Sequence, residues 1–124
     1  MQFDYEIGGT PFDIVIVVSG VASADGFDEG HRRLLADPRY DPVHDALVDL
    51  TAADMSQLSA EQVRQIAEMT ARRFGEARSL AVVAPEKLGY GLSRMFQSLT
   101  DQALASRTVV VASREEAASW LADR

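Results

Sequence analysis

The chain has 124 residues, 47% of them hydrophobic and 25% charged, which fits one domain (1–124) with a single core. It has no cysteine, which excludes a disulfide framework and thiol chemistry. The net charge of −7 sits in the first half, where residues 1–50 hold ten acids against three arginines, while residues 51–124 hold nine of each sign; an acidic chain repels phosphate backbones, so nucleic acid is not an expected partner.

Phe3, Tyr5 and Ile7 alternate with Asp4 and Glu6, the pattern of a half-buried strand. Gly8-Gly-Thr-Pro11 is a turn signal, and Phe12 to Val18 follows as a second strand. The short link predicts an antiparallel hairpin. The run Ile14 to Val18 is apolar on both faces and reads as a central strand. It is the longest aliphatic block and far short of the ~18 residues of a membrane span, so no integral membrane association is expected. The start Met1-Gln-Phe-Asp-Tyr-Glu6 lacks the basic-then-apolar plan of a signal peptide, making the cytoplasm the default location.

Ser19 and Gly20 close the second strand, and Ser23 caps a helix over Ala24 to Ala36. Phe27, His31, Leu34 and Leu35 share its inner face. Asp37-Pro38 stops it. Ala46 to Leu50 is a third strand, and a loop from Thr51 to Leu58 leads to the capping box Ser59-Ala-Glu-Gln62. Val63, Ile66, Ala67, Thr70 and Phe74 follow at helical spacing, with Gly75 as the stop. Ser79 to Ala84 is a fourth strand. Leu88, Leu92, Met95, Phe96, Leu99 and Ala103 then form the strongest amphipathic stripe in the chain. Arg107 to Ala112 is the fifth strand. A second capping box, Ser113-Arg-Glu-Glu116, opens a last helix whose Ala117, Trp120 and Leu121 face inward.

The order β-β-α-β-α-β-α-β-α predicts an α/β fold with a five-stranded mixed sheet, its first strand antiparallel at the edge, and about four helices. Four segments in that order, Ala46-Leu-Val-Asp-Leu50, Arg78-Ser-Leu-Ala-Val-Val-Ala84, Gly89-Tyr-Gly-Leu-Ser-Arg-Met95 and Glu116-Ala-Ala-Ser-Trp-Leu121, carry a family likeness. The chain resembles the STAS domain of bacterial anti-sigma-factor antagonists. It is closer to the small stand-alone bacterial proteins grouped as SpoIIAA-like, which share a superfamily with CRAL-TRIO lipid carriers. The resemblance implies a regulatory or interaction role without an assigned activity. STAS antagonists carry Asp-Ser-Ser-Gly, with a phosphorylated serine, where this chain has Gln57-Leu-Ser-Ala60. Ser59 is explained by its capping role, so neither its phosphorylation nor the sigma-factor role is carried over.

Gly89-Tyr-Gly-Leu-Ser-Arg-Met95 is the most suggestive local segment. Gly89 and Gly91 allow close backbone approach, amides at a helix start can hold an anion, and Arg94 adds charge-assisted hydrogen bonds. The alternative is packing by Tyr90 and Met95. The segment lacks the Gly-Lys-Ser/Thr ending of a P-loop, and Met95 replaces the second glycine of a nucleophile elbow around Ser93. Asp49 and Thr51 stand where parallel strands deliver ligand-binding groups, together with Asp54 and Ala84, or they satisfy loop backbone. His31 reads as a core-edge residue and His44 as a loop residue. His44, Asp45 and Asp49 make too sparse a set for a metal. Arg64, Arg72, Arg73 and Arg78 alternate with Glu61, Glu68 and Glu76 as a solvated, ion-paired face.

Two functional expectations lead, ahead of a third, an unrecognised enzyme that would depend on Ser93, Asp49 or His44. The first is a non-catalytic regulatory or protein-interaction module with a protein partner or a second copy, recognised through the acidic first half or the 89–99 helix. The second is a protein for a small apolar or anionic ligand, using the 88–99 apolar face and Arg94. The tentative binding residues are Asp49, Thr51, Gly89, Tyr90, Gly91, Arg94 and Met95; no catalytic residue, metal or cofactor is assigned.

Overall fold

The computed structural model describes residues 1–88, 91, 94–95 and 106–124. Five strands, β1 (Gln2–Ile7), β2 (Ile14–Val21), β3 (Asp45–Asp54), β4 (Ser79–Val83) and β5 (Thr108–Val111), form one sheet in the order β1-β2-β3-β4-β5. β1 pairs antiparallel with β2, and all later neighbours are parallel. The sheet is therefore mixed and the fold α/β, as the element order predicts. The hairpin closes where Gly8 takes a φ of +98°, a left-handed conformation that favours glycine, and its amide donates to Asp13 O.

Three helices are described in full: α1 (Ala24–Ala36), α2 (Ala60–Arg73) and α3 (Arg114–Ala122). Residues 86–88, 91 and 94–95 are also helical. Serine caps begin all three described helices. Ser23 accepts from Gly26 N, and Ser59 and Gln62 form the reciprocal capping box. Ser113 accepts from Glu116 N, but the Glu116 carboxylate accepts from Ala112 N, so the second box is half-formed and leans on the end of β5.

The sheet separates two apolar layers. Phe3, Ile14, Ile16, Val18, Ala46, Leu50, Leu80 and Val82 face Phe27 and Leu34 of α1 and the inner side of α2, with Phe74 and Leu88 alongside. This agrees with right-handed crossovers between successive parallel strands, which place α1 and α2 on one face. On the other face Phe12, Leu47, Ala81 and Val83 meet Ala117, Trp120 and Leu121 of α3.

Several bounds differ from the sequence expectations. β2 runs on through Ser19 and Gly20 to Val21, and β3 runs on through Thr51 to Asp54, because the two continue to pair as Ser19 with Ala52 through Val21 with Asp54. These residues lack an apolar signal; backbone pairing extends the strands. Leu35 is 36% exposed instead of facing inward, since it lies beyond the arc that Phe27, His31 and Leu34 bury. Gly75 follows the cap residue Phe74 without a left-handed φ, so α2 ends on the Phe74 amide bonded to Thr70 O. Arg73, at the end of α2, and Arg78, just before β4, pair away from the glutamates. Arg73 pairs with Asp28 of α1, and Arg78 with Asp13 and Asp45, while Arg64 keeps Glu61 and Glu68.

Candidate functional site

The α1/α2 side of the sheet holds a partly open apolar cavity of about 70 Å³. Its floor is the inward row of the strands, Ile14 and Ile16, then Ala46, Val48 and Leu50, then Leu80 and Val82. Its roof is the helical stripe read from the sequence, Val63, Ile66, Ala67, Thr70 and Phe74, joined by Phe27 and Leu34 of α1. The stripe arises from 3.6-residue periodicity, and the floor from alternation in the strands. Native cores leave few voids larger than a water molecule. This one exceeds the ~10–15 Å³ a water needs and falls below the ~150 Å³ of a benzene-binding engineered cavity.

Two histidines break the apolar lining. His31, on α1, and His44, just before β3, are 4% and 3% exposed. Phe74 lies between them, its ring centroid 4.9 Å from His31 and 6.5 Å from His44, both edge-on. Phe3 and Phe27 complete the shell of His31, and Tyr40 that of His44. The outer side of His31 meets Arg73, whose guanidinium also holds the Asp28 carboxylate at 2.5 Å. Burial, and then repulsion from Arg73, push the His31 pKa down to about 4, so the imidazole is neutral at physiological pH. His44 Nδ1 lies 2.6 Å from the carbonyl oxygen of Asp41.

A second polar group lies on the opposite face. Asp49 is 8% exposed and accepts from Thr51 N and Oγ1 and from Arg114 Nε at 2.9, 2.7 and 2.9 Å. Burial opposes its ionisation, but these hydrogen bonds outweigh burial and lower its pKa. Asp49 and Thr51 thus come together as expected, in a strand and not a loop. Arg114 is the partner that the sequence reading missed; its signal was its place at the start of α3, where the cap motif drew attention to serine and glutamate. The carboxylate is spent tying α3 to the sheet.

The other expected residues scatter. Asp54 accepts from Ser56 N and Oγ, and Ala84 N donates to Val111 O. His44, Asp45 and Asp49 have separate partners, Asp45 accepting from Ser79 Oγ. Among the described residues no three His, Cys, Asp or Glu side chains group as metal ligands. Gly91 and Arg94 are exposed and Met95 is half-buried, while Gly89 and Tyr90 lie outside the described residues, as do Ser93 and Phe96. Ser59 is exposed and occupied in its capping box. A larger groove of about 290 Å³ runs between Asp25, Asp28, Glu68 and Arg72, but it is open to solvent and two of its acids are committed to arginines. No described helix is long and apolar enough to cross a membrane. No protein-family model and no curated protein matches the chain.

Proposed function

We propose that this protein is a non-catalytic binding module of SpoIIAA-like type whose working site is the cavity between the sheet and α1/α2, and that it takes up a small, largely apolar molecule. The cavity itself carries the reading: a void bounded by residues of four strands and two helices, larger than water needs and lined almost wholly by carbon. The order of strands and helices supports the family assignment, and the cavity favours the ligand-binding member of the two functional expectations. The binding groups are then the α2 stripe, Phe27 and the two histidines, in place of Asp49 and Thr51, which serve the opposite face.

A ligand that binds only the folded state raises its stability with concentration, by about 2.7 kcal/mol at a hundredfold excess over Kd. Thermal unfolding against a panel of three- to six-carbon compounds at millimolar concentration should give a concentration-dependent rise in Tm for some of them. Ala67→Leu, which fills the cavity from α2, should abolish that rise while preserving the fold. Equal Tm values for the whole panel would sink the proposal.

A further inference from the structure

The partners of the two cavity histidines call for opposite tautomers. Arg73 donates from NH1 to His31 Nδ1 at 3.3 Å. A guanidinium has only donors, so that nitrogen is the acceptor and the proton of the neutral ring sits on Nε2. At His44 the partner of Nδ1 is the Asp41 carbonyl, 2.6 Å away. A carbonyl only accepts, so here Nδ1 carries the proton and Nε2 keeps a lone pair. At Nε2 one ring therefore offers a donor and the other an acceptor.

Among the described residues neither Nε2 has a hydrogen-bond partner. Both residues are more than nine-tenths buried. Among the described residues no fully buried side-chain nitrogen or oxygen lacks a partner, so each Nε2 keeps some accessible surface, and both residues line the cavity. Unpaired polar atoms in a carbon-lined interior are costly, and a ligand that pairs them relieves that cost.

We infer that the cavity is a two-ended site for a small, uncharged hydroxy-carbonyl compound: its carbonyl oxygen accepts from His31 Nε2–H, and its hydroxyl donates to His44 Nε2 across the edge of Phe74. The inference rests on the proposed ligand-binding role and adds the ligand's chemistry. Uncharged ligands are selected because the carbon lining offers an ion no solvation. Arg73, which touches His31, is paired with Asp28 and does not line the cavity.

The test has two parts. Long-range ¹H–¹⁵N correlation of the imidazoles at pH 7 reads the tautomers directly. His31 is expected as the Nε2–H form and His44 as the Nδ1–H form; the same form at both positions overturns the inference. Titration then compares hydroxyacetone with butanone, and 4-hydroxybutan-2-one with pentan-2-one, each pair matched in heavy atoms. A carbon-lined cavity without polar partners disfavours the hydroxyl by about tenfold or more. Here at least one hydroxyketone should bind as tightly as its matched ketone or tighter, and His44→Phe should restore the tenfold penalty of the hydroxyketone relative to its matched ketone. If both ketones bind tenfold tighter than their hydroxylated partners in the unaltered protein, the two-ended site is wrong and the apolar cavity stands. If no probe of either kind binds, both fall. The comparison within the unaltered protein decides the matter even if His44→Phe does not fold.

Discussion

At the level of single residues, the cost of burying His31 sets a pH dependence. Its pKa of about 4 lies below the ordinary 6.5 because burial, and then Arg73, disfavour the imidazolium, with Asp28 opposing. The unfolded chain takes the proton more readily than the folded one. Stability from this residue is therefore complete above pH 6.5 and is lost as pH falls towards 4, a difference of about 3 kcal/mol. Asp28, Asp37 and Asp49 are held below their ordinary 3.8, so their losses come at lower pH. Urea midpoints measured between pH 7 and pH 4 should decline, and His31→Phe should flatten that decline; an unchanged slope in the variant would assign the effect elsewhere. His31 was legible as an inward residue from its spacing to Phe27 and Leu34. His44 was not, because nothing in Val43-His-Asp45 says that the turn at Asp41 folds the ring under Phe74.

A second residue-scale expectation concerns Asp49 and Arg114. The acid is nearly buried and the arginine is 51% exposed, so solvent screens the pair. Their double-mutant coupling should be about 1 kcal/mol, from denaturant unfolding of Asp49→Asn, Arg114→Ala and the double variant. Coupling indistinguishable from zero would mean that Thr51 alone accounts for the carboxylate's role. The sequence singled out Asp49 and Thr51, but the bond from Asp49 to a residue 65 positions away depends on how α3 crosses the sheet, which no local pattern encodes.

Among the elements, the contact between α1 and β1 is the most exacting. A Cβ on Gly30 would lie 2.2 Å from Phe3 Cγ, so the absence of a side chain lets the helix sit against the edge strand. Gly30→Ala should destabilise by about 2–3 kcal/mol, an overpacking cost, and Phe3→Leu in the same chain should recover part of it. Additive losses in the double variant would show that the clash is not the cause. The helix starts were the most legible features, since Ser23, Ser59 and Ser113 each act as the cap their neighbours imply. The strand ends were the least legible. Ala52 and Ala53 become β3 through pairing with Ser19 and Gly20, a long-range choice that overrides weak local preference.

Considered whole, the molecule has two apolar layers that share only the sheet. Trp120 sits on the α3 side with Arg124 stacked 4.8 Å from its ring centroid, whereas the cavity lies on the other side. Trp120→Ala should therefore cost about 2 kcal/mol, below the range for a fully buried tryptophan because it is half-buried. Affinity for a cavity ligand should remain within about twofold, since distant sites act independently. A large change in affinity would mean that the sheet transmits strain from one layer to the other. The α/β class and the hairpin followed from periodicity and the Gly8 turn. The void did not, because Ala46, Ala67 and Val48 read as ordinary core positions, and a gap between them is a matter of how closely α2 approaches the sheet.

The strand order has one more consequence. Each strand pairs with the one that precedes it in the chain, from β1 through β5, so no strand must be inserted between two that are already joined. Such a sheet can lengthen in the order in which a ribosome releases it, each new strand adding to the exposed edge of the last, with loop closures kept short.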